Sequence, residues 1–294
     1  MRLKKESRGD RIYKIFIYVV LSILAVLILV PVLWVMVASV KETSEHYGSP
    51  WALPSHIHWQ NFADAWNEAN MGGYMFHSVS ITVMALAILL IVALPASYCL
   101  ARFKFVGRKF LNTCFMAGLF INVNYIVVPI YLMLSDGDKW LKGFLGSGFL
   151  LNNHFIVAVV YAATALPFTI YLLSSYFTTI PHDFEEAAYM DGAGYSRTMV
   201  RIIFPMAKPA IITVILFNFL SFWNEYIIIK TLVTDRERWT LPAGLLNLMQ
   251  AQQSAAEYGS LYAGLVLVMV PVLVLYICVQ KNLTRGMTVG GLKG

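Results

Sequence analysis

The chain has 294 residues, 59% of them hydrophobic and 13% charged, where an average soluble domain is about a quarter charged. With a mean hydropathy of +0.66, that composition excludes an ordinary soluble enzyme and defines an integral membrane protein. The formal charge of +6 does not point to nucleic acid, because the Lys and Arg residues flank apolar runs instead of lining one face.

A basic N-terminus leads into an apolar run over 15–40. This is well beyond the roughly 7–15 apolar residues of a signal-peptide core, so the spacing predicts a retained first span. Five more runs follow, at 76–101, 110–134, 155–177, 210–233 and 261–279. Each has about the 20 residues needed to cross a ~30 Å hydrocarbon layer. Each run contains or adjoins a proline: Pro31, Pro95, Pro129, Pro167, Pro209 and Pro271. The expected fold is therefore all-α, one transmembrane domain over 1–294 with six helices, kinked in ways that suit a bundle with a path through it.

Orientation follows from charge. Lys41, Lys139, Lys142, Lys230, Arg236 and Arg238 fall on one side of the predicted spans, and the other sixteen of the 22 Lys and Arg residues on the opposite side. The positive-inside rule then places both termini, the loop at 181–209 and the tail at 280–294 in the cytoplasm. The outward connections are 41–75, 135–153 and about 234–260; the first and third are rich in Trp, Asn, Gln and Pro and suit small helices over an outer mouth. Cys99, Cys114 and Cys278 lie in or at the ends of apolar runs and read as free thiols. The histidines His46, His56, His58, His77, His154 and His182 are too dispersed to suggest a metal site.

The 181–209 loop is the longest polar stretch between two spans. Pro181 suits a first helical turn, and Asp183, Glu185 and Glu186 follow where the helix dipole favours negative charge. Phe184, Ala187 and Ala188 form one narrow apolar stripe, whose two alanines let another surface approach closely. Gly192 and Gly194 can take positive φ and stop the helix, and Ser196 is a candidate N-cap for a second helix ending before Pro205. Periodicity alone fits a helix lying in the headgroups as well as one that meets a soluble partner.

The loop also carries a motif. Glu186-Ala187-Ala188, then three residues, Gly192, nine residues, and Ile202 to Pro205 resemble the EAA loop of ABC importer permeases, with Phe204 in place of a leucine. Ala101-Arg102-Phe103-Lys104-Phe105, Trp223-Asn224-Glu225-Tyr226 and the ending 286–294 are similar to carbohydrate-uptake permeases, in particular the smaller, six-span permease subunit of the maltose importer. This resemblance implies a type I importer permease of the bacterial inner membrane. It implies pairing with a second, homologous permease, two cytoplasmic ATPase subunits and an external sugar-binding protein that meets the 234–260 loop. Glu186, Ala187, Ala188, Asp191, Gly192, Ile202 and Pro205 would form the coupling helix received by an ATPase cleft, with Glu186 facing basic groups and Gly192 setting the bend. Gly290, Gly291 and Lys293 in the tail would reach the ATPase interface.

The chemistry missing from the chain agrees. There is no GxxxxGK[ST] phosphate loop and no GxSxG nucleophile. No cofactor is expected on this chain; ATP and magnesium belong to the partner ATPases. Within the spans, Asn218, Ser221 and Glu225 recur at i, i+3 and i+7 on one helical face, beside Trp223 and Asn224. Asn122, Asn124 and Tyr125 form a second polar cluster. A carboxylate at the bilayer centre costs roughly 3 kcal/mol and normally faces a cavity or bundle interior. These eight residues are candidates for a sugar path, or for bridges between helices. A single-chain ion-coupled transporter is the alternative, but it needs several ionisable groups deep in the spans, and Glu225 is the only clear one.

Overall fold

The computed structural model describes residues 8–49, 51–67, 69–255 and 258–290, and among them all regular structure is helical. In chain order the helices are α1 (Arg8–Ala38), α2 (Thr43–Gly48), α3 (Gln60–Asn67), α4 (Met71–Arg102), α5 (Arg108–Gly118), α6 (Val123–Leu145) and α7 (His154–Phe177). They continue with α8 (Asp183–Met190), α9 (Tyr195–Thr198), α10 (Phe204–Met206), α11 (Lys208–Trp223), α12 (Ile227–Leu232), α13 (Leu241–Ala255) and α14 (Tyr258–Gly290). Four stretches are unbroken, long and apolar enough to cross a membrane: Arg11–Ala38, Met71–Arg102, His154–Phe177 and Tyr258–Gln280. Two sharply bent helix pairs raise the number to six if each is counted as one span.

The chain divides into two units. One comprises Met1–Ala69 and Leu248–Leu267. The apolar window of α1 has a mean hydropathy of 3.1 and none of it is buried within the chain, so its surface is left for lipid or for another chain. After α1 the backbone is gathered by buried Asn61, whose amide donates to the carbonyls of Ser39 at 3.0 Å and Lys41 at 2.7 Å. Gly259 is required at the start of α14, because a Cβ there would lie 2.5 Å from Asn61 Oδ1. Rings close the unit: Trp34 meets Trp51 and Tyr262, and His46 stacks on Tyr262 at 5.3 Å.

The other unit comprises Asn70–Asn247 and Val268–Gly294 and is built on the pairing of α4 with α7. On α4, Ile81, Ala85, Leu89 and Ala93 repeat every four residues and are fully buried; on α7, Val157, Ala158, Tyr161 and Ala162 answer them. The alanines let the backbones approach, which is how helices associate where lipid supplies no hydrophobic driving force. Helix α11 packs on both.

The apolar runs at 110–134 and 210–233, read as continuous spans from hydropathy, are broken. The α5–α6 pair bends by 107°. Single turns bond Leu119 to Met116, Phe120 to Ala117 and Ile121 to Gly118, and the Asn122 side chain then caps α6 by accepting from Asn124 N–H at 2.9 Å. At the same joint Gly118 lies against α7, where a Cβ would come within 2.8 Å of Pro167 Cγ. The fifth run breaks at 224–226, between α11 and α12. Hydropathy cannot register either break, since the residues on both sides remain apolar.

Candidate functional site

Two places in the second unit hold the motif and span residues. The first is the 181–209 loop. Its helix α8 opens with Asp183, Glu185 and Glu186 in the first turn, where the dipole favours them. It ends in a Schellman turn: Ala193 N–H bonds to Ala188 C=O at 2.9 Å, and Gly192 N–H to Tyr189 C=O at 3.0 Å. Gly192 takes φ of +78°, which gives the fixed distance from Ala188 to Gly192 a backbone reason. Gly194 does not share it; its φ is −76° and it is itself the N-cap of α9. Ser196 lies inside that helix, not at its cap. The second helical segment also runs past Pro205 instead of ending before it: a π-turn at Met199–Ile203 precedes α10, in which Pro205 sits. Pro205 has no N–H to return to the preceding turn, and the wider turn absorbs the lost bond. A 75° bend then separates this segment from α11.

The buried face of α8 differs from the stripe read from periodicity. Phe184 and Ala187 are exposed, and the inward residues are Glu185 and Ala188. Glu186 and Asp191 are exposed, and the Glu186 carboxylate has no partner among the described residues. Glu185 is held from every side. Tyr98 donates its hydroxyl to Oε1 at 2.9 Å, Arg102 Nε lies 3.1 Å from the same oxygen, and His182 Nδ1 is 3.1 Å from Oε2. The Arg102 N–H is not aligned for a directed bond, so that contact is mainly one of charge. Arg102 also donates to Ile180 C=O at 2.6 Å. Around the pair, Phe103 sets its edge against Tyr98 and Tyr195, and Phe204, the motif's leucine substitute, stacks on Phe177 at 6.0 Å. Ile202 is half-buried and Pro205 exposed. Gly290 is the last residue of α14, and Gly291 and Lys293 lie outside the described residues.

The second place is a cavity of about 420 Å³ between α6, α7 and α11–α12. Pockets of this order hold small ligands. Of the span candidates, Asn124, Asn218, Ser221 and Glu225 line it. Asn122 is committed to capping α6, and Tyr125 is 82% exposed elsewhere. Trp223 is buried, stacked on Phe219 at 5.4 Å with its indole N–H bonded to Val268 C=O. Asn224 returns its amide to Leu220 C=O at 2.8 Å. The missed lining comes from α7: Tyr161, Thr164, Ala165 and Phe168 at i, i+3, i+4 and i+7 share one helical face, a pattern visible in the sequence.

Glu225 is occupied by the fold. Its Oε1 accepts from the N–H groups of Ile227 at 2.8 Å and Ile228 at 2.9 Å, capping α12, and Oε2 accepts the Tyr161 hydroxyl at 2.8 Å. Asn218 donates to Thr169 Oγ1 at 3.0 Å and Val214 C=O at 2.7 Å. The cavity thus offers polar oxygens and aromatic faces, the surfaces that suit hydroxyl-rich ligands. Among the described residues no cluster of His, Cys, Asp and Glu is arranged to hold a metal ion.

The chain resembles known proteins in sequence and fold. The chain is 36% identical over 287 residues to the diacetylchitobiose uptake system permease protein NgcG of Streptomyces coelicolor, covering 98% of this chain and 91% of that protein. It is 30% identical to the multiple sugar-binding transport system permease protein MsmG of Streptococcus mutans, covering 99% and 100%. It superposes with a TM-score of 0.79 on a chain from a bacterial ABC transporter involved in import of the acidic polysaccharide alginate. That match is 26% identical and covers 95% of this chain and 99% of the other. Fold and likeness define the class: a multi-pass, non-catalytic permease subunit of an ABC-type carbohydrate importer, coupled to a partner ATPase that handles ATP and magnesium. Over residues 93–289 the chain belongs to the family of binding-protein-dependent transport system inner membrane components. The likeness is to sugar-import permeases broadly, not to the maltose-importer subunit in particular.

Proposed function

We propose that this subunit forms half of a sugar translocation path at the α6–α7–α11 cavity and is driven from the cytoplasm through the 181–209 loop. A second, homologous permease supplies the other half, two ATPase subunits lie beneath, and an external sugar-binding protein delivers the substrate. The observation that carries the reading is α8 itself. It presents Phe184, Glu186 and Ala187 outward with an unpaired carboxylate, while its inner face is fixed to the bundle. Glu186 and Ala187 make the ATPase contact, Ala188 and Gly192 shape the turn beneath it, and Asp191, Ile202 and Pro205 set the exit of the chain. The substrate is an oligosaccharide, in line with the diacetylchitobiose and galactooligosaccharides for which two relatives are named, and Asn124, Asn218 and Ser221 supply hydroxyl partners in the cavity.

The test is import by the full transporter in proteoliposomes. Glu186→Ala and Gly192→Ala are expected to lower sugar imported per ATP hydrolysed by about tenfold, within the range of ordinary coupling energies. Both chains should remain inserted in the membrane. Unaltered import with intact ATPase association in both variants sinks the reading. A single-chain ion-coupled carrier is not favoured, because Glu225, the carboxylate it would use, is engaged by three donors.

A further inference from the structure

Glu185 stands one position before the Glu-Ala-Ala triplet, outside the motif, yet it is the buried carboxylate of the loop, its side chain 8% exposed. A buried carboxylate is tolerated only when paired and hydrogen-bonded, and here all the pairing comes from two short stretches. Tyr98 and Arg102 stand one helical turn apart at the end of α4, and His182 precedes α8. Arg102, only 3% exposed, also holds Ile180 C=O. The entry to the loop is therefore tied to α4 through both backbone and side chain. Helix α4 runs from Met71 to Arg102 without a break and lies along α7. The next point of backbone freedom is Gly192, beyond α8. The network also gives Arg102 and Phe103 of the Ala-Arg-Phe stretch a task.

Resting on the reading of this loop as the coupling element, we propose that Glu185 is a positioning residue that clamps α8 to the end of α4. A displacement of the loop then enters the second span as one rigid body, while its neighbour Glu186 serves the external contact. Coupling between sites is carried by packed side chains, ion pairs and rigid elements with discrete arrangements, and this ion-paired, aromatic-sealed junction is such a set.

The test uses the complete transporter in proteoliposomes, with Cys99, Cys114 and Cys278 replaced by serine. Spin labels go at Val106 and Met190, 103% and 88% exposed respectively. With Glu185 present, the label-to-label distance is expected to be narrow and equal in the nucleotide-free and ATP-bound states. Glu185→Gln should broaden it and lower sugar imported per ATP by about tenfold. Tyr98→Phe, which removes one donor, should lower the ratio by a smaller factor. An unchanged ratio and a narrow distance in Glu185→Gln overturn the clamp. So does a parallel loss of assembled complex in both variants with the ratio per complex unchanged, which marks a purely structural role. Glu186→Ala separates the two ideas: if it has no effect while Glu185→Gln uncouples, the clamp stands and the contact role of Glu186 falls.

Discussion

Glu225 shows how one side chain can serve the fold and the cavity together. A carboxylate in a span is costly, and here the cost is offset by two backbone amides left free by a helix break and by a tyrosine hydroxyl. Hydrogen bonds to a charged group contribute roughly 1.5–3 kcal/mol each. Glu225→Ala, which strands three donors, is therefore expected to destabilise the purified protein by about 3 kcal/mol, read from its unfolding midpoint in detergent. Glu225→Gln keeps an acceptor for the amides and should cost about 1 kcal/mol. A change in import without a change in stability in that variant would assign the charge to the path.

Glu45, in the 41–75 connection, gives a pH test at the same scale. The Ser55 hydroxyl and amide donate to Oε1 at 2.5 and 2.9 Å, and together they lower its pKa from 4.5 to about 2. A lowered carboxylate pKa favours the folded segment above the unfolded value and loses that contribution as pH falls through the folded one. Protection of the Ser55 amide from hydrogen exchange should hold down to about pH 4.5 and then fall toward pH 2. Glu45→Gln should abolish the dependence.

At the level of elements, the apolar runs were readable because crossing a membrane demands about 20 apolar residues in a row. The breaks within them were not, since they depend on single residues at the joints. Asn122 looks like a polar path residue by composition and is a helix cap by geometry. Its place just before the apolar run that starts at Val123 is an ordinary N-cap signal. Of the adjacent Glu185 and Glu186, no local pattern tells which turns inward; that is decided by Tyr98 and Arg102, more than eighty residues away in sequence. Gly118 tests the joint itself. A methyl there meets Pro167 Cγ at 2.8 Å, and overpacking of this kind typically costs 1–3 kcal/mol. Gly118→Ala is expected to lower stability by about 2 kcal/mol and to loosen the α5–α7 contact, visible as faster exchange of the α5 amides. Unchanged exchange and stability would mean that the joint accommodates the methyl without loosening.

At the scale of the whole molecule, the two ends of α4 in the larger unit gather different connections. Helix α4 is 32 residues long, about 48 Å at ~1.5 Å per residue, longer than the ~30 Å hydrocarbon layer is thick. Near its start, Ser78 Oγ accepts the Leu241 N–H at 2.7 Å, and His77 Nδ1 lies 3.3 Å from Trp239 C=O. The 150–154 connection joins that end, with Asn152 bonded to Leu232 and Thr234 and His154 to Arg238. At the opposite end, Arg102 and Tyr98 hold the 180–185 entry of the loop. The stretches 150–154 and 232–241, which belong to connections counted as poor in Lys and Arg, therefore gather at the start of α4, and the 180–185 entry of the loop counted as rich lies at its other end. Were the positive-inside assignment wrong for one loop alone, the two groupings would conflict. The expected outcome in a cysteine-free background is sided labelling. Glu237→Cys should react with a membrane-impermeant maleimide added outside intact cells, and Val106→Cys only after the membrane is opened. Labelling of Val106→Cys in intact cells would invert the protein and place the coupling loop on the side where no ATPase could reach it.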